Sequence, residues 1–160
     1  NVYNTISFKQ VCSPNFTRYT VFGGPKLKTK KYGSMGSAGR FTPEIIDSAE
    51  RAARTTVQEG WIEVEPSKSA YGRARTYNNV KLFYTSCYNP CGVKVFQNGT
   101  LIHEDSIVND GKYHVLPLSF NGSAGKVKYV FSSTLSPTIL GFSLEGLATT
   151  PVFGLKGPTA

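Results

Sequence analysis

Val93-Lys94-Val95-Phe96-Gln97-Asn98-Gly99-Thr100-Leu101-Ile102 decides the fold class of this chain. Asn-Gly accepts positive φ at both central positions of a tight turn, and between two β-prone runs it is the strongest short hairpin signal a sequence carries. Upstream, Trp61-Ile62-Glu63-Val64-Glu65 alternates and Val80-Lys81-Leu82-Phe83-Tyr84 is β-rich. Downstream, Asn109-Asp110-Gly111 separates Ile107-Val108 from the run Tyr113 to Phe120, and two more alternating runs follow at Val127 to Phe131 and Ile139 to Leu144. Counted from Trp61, these make eight short strands at roughly ten-residue spacing. The rhythm predicts a mainly β chain whose residues 61–147 form an antiparallel β-sandwich, jelly-roll-like, of about eight strands.

Composition agrees. The chain has 160 residues and a mass of 17.5 kDa, enough for one domain. Aromatic residues make up 12% and charged residues only 18%, with 16 Gly and 9 Pro, a balance that favours strands and turns over helices held by charge pairs. Apolar stretches run to a few residues, far short of the roughly 20 that a membrane-crossing helix needs. The chain opens on Asn1 without a basic-then-apolar leader, so a processed product or a fragment is expected.

Before Trp61 the period changes. Thr42-Pro43-Glu44 reads as a helix start, with a capping hydroxyl, proline at the first helical position and an acid at the positive end of the dipole. Ile45, Ile46, Ala49, Ala52, Ala53, Thr56 and Val57 recur at helical spacing. Asp47 with Arg51 and Glu50 with Arg54 form i, i+4 pairs, and Gly60 supplies a stop. A helix over 42–60, packed on the domain, is the expectation.

Charge is concentrated at the front. Residues 1–43 carry seven basic residues and no acid, while residues 44–160 carry eleven basic and ten acidic, so nearly all of the net +8 precedes the helix. Lys26, Lys28, Lys30 and Lys31, followed by a Gly/Ser run and Arg40, predict a basic extended N-terminal arm over 1–41. Such an arm meets phosphate, in nucleic acid or elsewhere, or an acidic protein partner; the plain alternative is a solvated linker. Within it, Phe8 and Val21 belong to strand-forming runs that dock on this domain or on a neighbouring subunit. Residues 148–160, rich in Pro and Gly, predict an extended C-terminal tail in which Phe153 and Leu155 are the apolar anchors.

Catalytic and metal signatures are missing. There is no Gly-x-Ser-x-Gly elbow, phosphate loop, HExxH or dinucleotide fingerprint, so the expectation is a non-enzyme with no cofactor and no metal. His103-Glu104-Asp105-Ser106 holds triad residue types, yet neighbours on a strand face opposite ways and do not converge. Cys12, Cys87 and Cys91 read first as buried or free thiols; Cys87 and Cys91 flank an Asn-Pro turn and allow a local disulfide as the second reading, with Cys12 left over, and a zinc site recruiting His103 or His114 matches no structural spacing. Asn15, Asn98 and Asn121 fit the N-glycosylation acceptor and, for the last two, equally an Asn-Gly turn. Tyr71, Tyr77, Tyr84 and Tyr88 are candidate sugar-stacking rings or plain strand residues.

The basic arm of residues 1–43 followed by strands over 61–146 resembles, in arrangement, small virus coat and capsid-decoration proteins. That resemblance implies a non-enzymatic virion subunit that assembles with its own copies or other virion proteins through its sandwich and arms. The alternative is a carbohydrate-binding sandwich, extracellular or on a cell surface, with glycan as partner. A further alternative is a filament or pilus-like subunit that lends its N-terminal strand to the next copy.

Overall fold

The computed structural model describes residues 3–5, 8–32, 37–66, 78–120 and 125–147. These hold strands β1 (Tyr3–Thr5), β2 (Phe8–Cys12), β3 (Thr17–Thr20), β4 (Ser37–Arg40), β5 (Gln58–Pro66), β6 (Asn79–Thr85), β7 (Cys91–Gln97), β8 (Thr100–Ile107), β9 (Tyr113–Ser119), β10 (Val127–Ser133) and β11 (Thr138–Leu147), with helix α1 (Ser48–Ala52). One sheet runs β3-β4-β11-β6-β9, with β1 also paired to β11; the other runs β2-β5-β10-β7-β8. Every pairing is antiparallel. From β4 to β11 successive strands alternate between the two sheets except where β7 and β8 form a hairpin, so the chain closes as the expected β-sandwich in jelly-roll order.

The predicted alternation is what builds the core. Ile62 and Val64 of β5, Val93 and Val95 of β7, and Val127, Tyr129 and Phe131 of β10 point inward from one sheet. Val80, Leu82 and Tyr84 of β6 and Ile139 and Leu144 of β11 meet them from the other. Each fully buried aliphatic side chain contributes about 1.5–3 kcal/mol, which fixes strand register because a one-residue slip would turn the whole set outward. The β7–β8 turn is built as read: Asn98 has φ 49° and Gly99 φ 88°, and Gln97 pairs with Thr100.

Three expectations are corrected. Thr100–Ile102 and Ile107–Val108, expected as separate strands, differ in the structure: Thr100 to Ile107 is the single strand β8, in which the charged residues Glu104 and Asp105 lie on an exposed stretch. Residues 8–32 and 37–40, expected within an extended arm docking on this domain or on a neighbouring subunit, dock on this domain, and β2, β3 and β4 are strands of the sandwich itself. Here β2 extends one sheet along β5, β3 and β4 extend the other along β11, and Phe8, Cys12 and Phe16 pack against the core. The lysine-bearing loop between β3 and β4 is held too, because Leu27 is buried and its amide donates to the Tyr32 hydroxyl at 2.6 Å.

The third correction concerns the helix over 42–60, which shrinks to five residues with none buried. Tertiary bonds compete successfully for its intended parts. Thr42 does not cap a helix; its hydroxyl accepts the Ser136 amide at 2.9 Å. The cap is Asp47, accepting from the Glu50 amide at 3.0 Å, and the Arg51 guanidinium donates to the Ile45 and Ile46 carbonyls instead of pairing with Asp47. Gly60 lies inside β5, where it makes room for Phe41. Among the described residues no helix is long and apolar enough to cross a membrane.

Candidate functional site

At one end of the sandwich, where β4 and β6 finish and β11 begins, a cleft of about 300 Å³ opens between loops. Its volume is at the lower end of the range for small-molecule sites. The floor is a buried polar web. Arg40, 5% exposed, donates from Nη1 to Thr138 Oγ1 at 2.6 Å, from Nε to the Thr42 carbonyl at 3.0 Å and from Nη2 to the Pro43 carbonyl at 3.4 Å. Ser136 ties the same turn down by accepting the Phe41 amide at 3.1 Å. Burial lowers the pKa of the Arg40 guanidinium from its ordinary value, and the Glu44 charge pulls partly the other way.

Loop 108–112 forms one wall, held as a small network. Asp110 Oδ1 accepts from the Ser86 hydroxyl at 3.0 Å and from the Lys112 amide at 3.0 Å, and lies 2.8 Å from His114 Nε2. The His114 hydrogen bond leads the causes that take the Asp110 carboxyl down to about 2. Ser86 Oγ in turn accepts the Gly111 amide, and Lys31 Nζ donates to the Gly111 carbonyl at 3.0 Å. Ser86, Asp110 and His114 have triad composition in the wrong order: the serine hydroxyl is spent on the carboxylate, so no base is aimed at it.

The opposite wall is the segment 43–51. The Glu44 carboxylate accepts the Lys28 and Thr29 amides and the Thr29 hydroxyl, which clamps the lysine-bearing loop beside the cleft. Arg51 lies 4.3 Å from the centroid of the Tyr88 ring, and Asn89 holds the Arg51 carbonyl at 3.0 Å. Tyr88 is 55% exposed, with its edge over Gly111 and one face under Arg51.

Of the site residues singled out in the sequence, Lys31, Arg40, Cys87 and Tyr88 come together here. Lys26 does not; its Nζ donates to the Val21 carbonyl within its own loop, and Lys28 and Lys30 face solvent. Tyr84 is buried against His114, with ring centroids 5.7 Å apart, and offers no stacking face. Phe8 is packed on this domain's own core, so it is no free anchor, whereas Val21 is 44% exposed. Tyr71, Tyr77, Phe153, Leu155 and Asn121 lie outside the described residues.

Cys87 and Cys91 are free thiols in the structure, as the first reading of the sequence has them, and the local disulfide is not formed. Cys87 donates to the Leu135 carbonyl at 2.9 Å, while Cys91 is an inward residue of β7, where burial pushes its pKa up to about 12. The Asn15 amide is used at both ends, by Ser13 Oγ and by the Glu59 carbonyl, and Asn98 Oδ1 accepts the Lys126 amide. His103 to Ser106 lie along the edge strand β8 and converge on nothing. Among the described residues no three His, Cys, Asp or Glu side chains are grouped to hold a metal. Sequence reading missed Arg51, Glu44 and Ser86 as parts of a site; Arg51 and Glu44 carried a helix signal, and Ser86 carried none.

No family model matches the chain, and no curated protein does. Solved structures with a similar course of chain include a family 6 carbohydrate-binding module, at 9% identity and TM-score 0.46, covering 87% of this chain and 92% of that one. A family 32 module from C. perfringens NanJ, solved with galactose, aligns at 10% identity and TM-score 0.47 over 90% and 99% of the two chains. A family 6 module of Clostridium stercorarium, solved with cellobiose, gives 15% identity and TM-score 0.46 over 88% and 94%. At this identity none of them carries a ligand over to this chain, which is similar to them in its β-sandwich.

Proposed function

We propose that this chain is a carbohydrate-binding β-sandwich module, secreted or surface-displayed, that takes sugar into the end cleft against Tyr88. The observation that carries the reading is the Tyr88 ring, more than half exposed at the lip of a cleft, with Arg51 over one face and Gly111 packed against the ring. An aromatic face receives the C–H side of a sugar ring, and its rigid seating lowers the entropy lost on binding. Thr29, Ser86 and Thr138 line the same cleft with hydroxyls already held in hydrogen bonds to Glu44, Asp110 and Arg40, so the polar lining is fixed in place before a ligand arrives. The chain serves as a binding module, since its serine and histidine are not arranged for attack.

The test is a glycan array with the purified chain beside its Tyr88→Ala variant. Binding by the parent, weakened by about 2 kcal/mol in the variant, is expected of a central aromatic contact. An array without any bound glycan would remove the reading.

A second reading, the self-assembling coat, decoration or filament subunit, has one observation in its favour. Among the described residues β8 and β9 are the outermost strands at one side of their sheets, joined by a short loop, and Leu101, Ile102, Tyr113 and Val115 are all exposed on them. Open edges with apolar side chains pair readily with another chain. Light scattering decides it: a large assembly is its expected result, and a 17.5 kDa monomer removes it.

A further inference from the structure

We propose that the saccharide taken by the end cleft is acidic, with a carboxylate or sulfate received among Lys31, Arg40 and Arg51. This rests on the carbohydrate reading and adds the charge of the ligand to it.

Three cations and one carboxylate line the cleft. That carboxylate, Glu44, has its oxygens taken by the amides of 28–29 and the Thr29 hydroxyl, and its single charge offsets only part of the three cations, so the cleft stays net positive. The ion pairs among the described residues are Lys9–Glu65, Lys81–Glu145 and Asp110–His114, and none of them includes a cleft cation. Arg40 is the sharpest case. Its guanidinium is almost wholly buried, and every partner it has in the described structure is a neutral oxygen. A buried charge is costly unless opposite charge compensates it; Glu44 does so in part from beyond hydrogen-bond reach, and a ligand anion entering the cleft adds to that compensation.

The donors are also geometrically prepared. A guanidinium carries five N–H donors and an ammonium three, and Lys31 spends one on the Gly111 carbonyl while Arg51 directs Nη1 to two backbone carbonyls. Both side chains are thereby fixed at the rim with donors left over. Planar carboxylates and tetrahedral sulfates suit such donors, and hydrogen bonds to a charged acceptor are stronger than those to a sugar hydroxyl.

The experiment is titration calorimetry with the whole chain against four probes. They are a tetragalacturonate, the same oligosaccharide with its carboxyls reduced, a sulfated tetrasaccharide of carrageenan type, and inorganic sulfate, alongside the array above. An acidic oligosaccharide is expected to bind about tenfold or more tightly than the reduced one, with affinity falling as salt is raised. Lys31→Gln is expected to lose most of that preference while its melting curve stays that of the parent; Arg51→Lys is the second variant should the first be unstable. Equal binding of acidic and neutral glycans would overturn the charge assignment and leave the carbohydrate reading standing. Inorganic sulfate binding as tightly as the sulfated sugar would overturn it in favour of a bare anion site. A chain that binds no glycan at all overturns both.

Discussion

Tyr88 lies so close over Gly111 that a Cβ at 111 would fall on the phenol ring. Gly111 also has φ +75°, a conformation that L side chains rarely adopt. The bare α-carbon therefore sets the height of the aromatic face above the cleft. Gly111→Ala is expected to cost about 1–2 kcal/mol of stability from the backbone alone and to push the Tyr88 ring off its seat. Thermal unfolding measures the first effect and glycan affinity the second. Full affinity retained in this variant would show that the ring's position there does not matter.

Asp110 links loop 108–112 to Ser86 and His114, and its carboxyl is held at about 2 against an ordinary 3.8, the His114 hydrogen bond being the largest cause. A depressed folded pKa adds stability above the unfolded pKa and loses it as pH falls through the folded one. The parent should lose this increment between pH 4 and pH 2. In Asp110→Asn that portion of the acid limb should be flat, as read from urea unfolding at stepped pH. Parallel acid limbs in the two proteins would count against the link.

Gly60 is the place on β5 where the two sheets leave room for Phe41. An added Cβ would sit 2.6 Å from Phe41 Cγ and Cδ2. Phe41 cannot retreat freely because it is buried and meets Phe16 edge-on, with ring centroids 5.7 Å apart. Gly60→Ala should therefore destabilise by about 1–3 kcal/mol, the usual range for overpacking. Adding Phe41→Leu should recover part of it, which denaturant unfolding of the single and double variants would establish.

Burial raises the pKa of both Cys87 and Cys91, the latter to about 12 from an ordinary 9.0. The thiolate is the reactive form, so at pH 8 neither should react with a disulfide reagent while the chain is folded, and both should react once it is unfolded. The sign for stability is opposite to that of Asp110. A raised folded pKa leaves the contribution intact below pH 9 and removes it as pH rises toward 12. Fast labelling of Cys91 in the native protein would contradict its placement.

Several parts of this architecture could be read directly along the chain. Ile62 and Val64, Val80 and Leu82, and Val93 and Val95 alternate in sequence and alternate in burial, because strand geometry converts a period of two into a face. Asn98-Gly99 forms its turn for a reason contained in those two residues, their tolerance of positive φ. At residues 42–60 the local helix signals are sound but weaker than their competitors: Ser136 claims Thr42 and Tyr88 draws Arg51 from afar, while the carbonyls of Ile45 and Ile46 take its guanidinium locally. Helix propensity is worth tenths of a kcal/mol per residue, and a handful of tertiary bonds exceeds it.

By itself, then, the sequence determined that strands and turns dominate, where most of them lie after Trp61, and which faces are apolar; these are consequences of steric and solvation preferences that act within a few residues. Only the tertiary structure decided that the basic front segment belongs to both sheets, and that Lys31, Arg40, Arg51 and Tyr88 share one cleft. Lys31 reaches Gly111 across 80 residues and Arg40 reaches Thr138 across 98. Those meetings depend on strand order, which follows from how two sheets bury one core together and is not written in any local stretch of the chain.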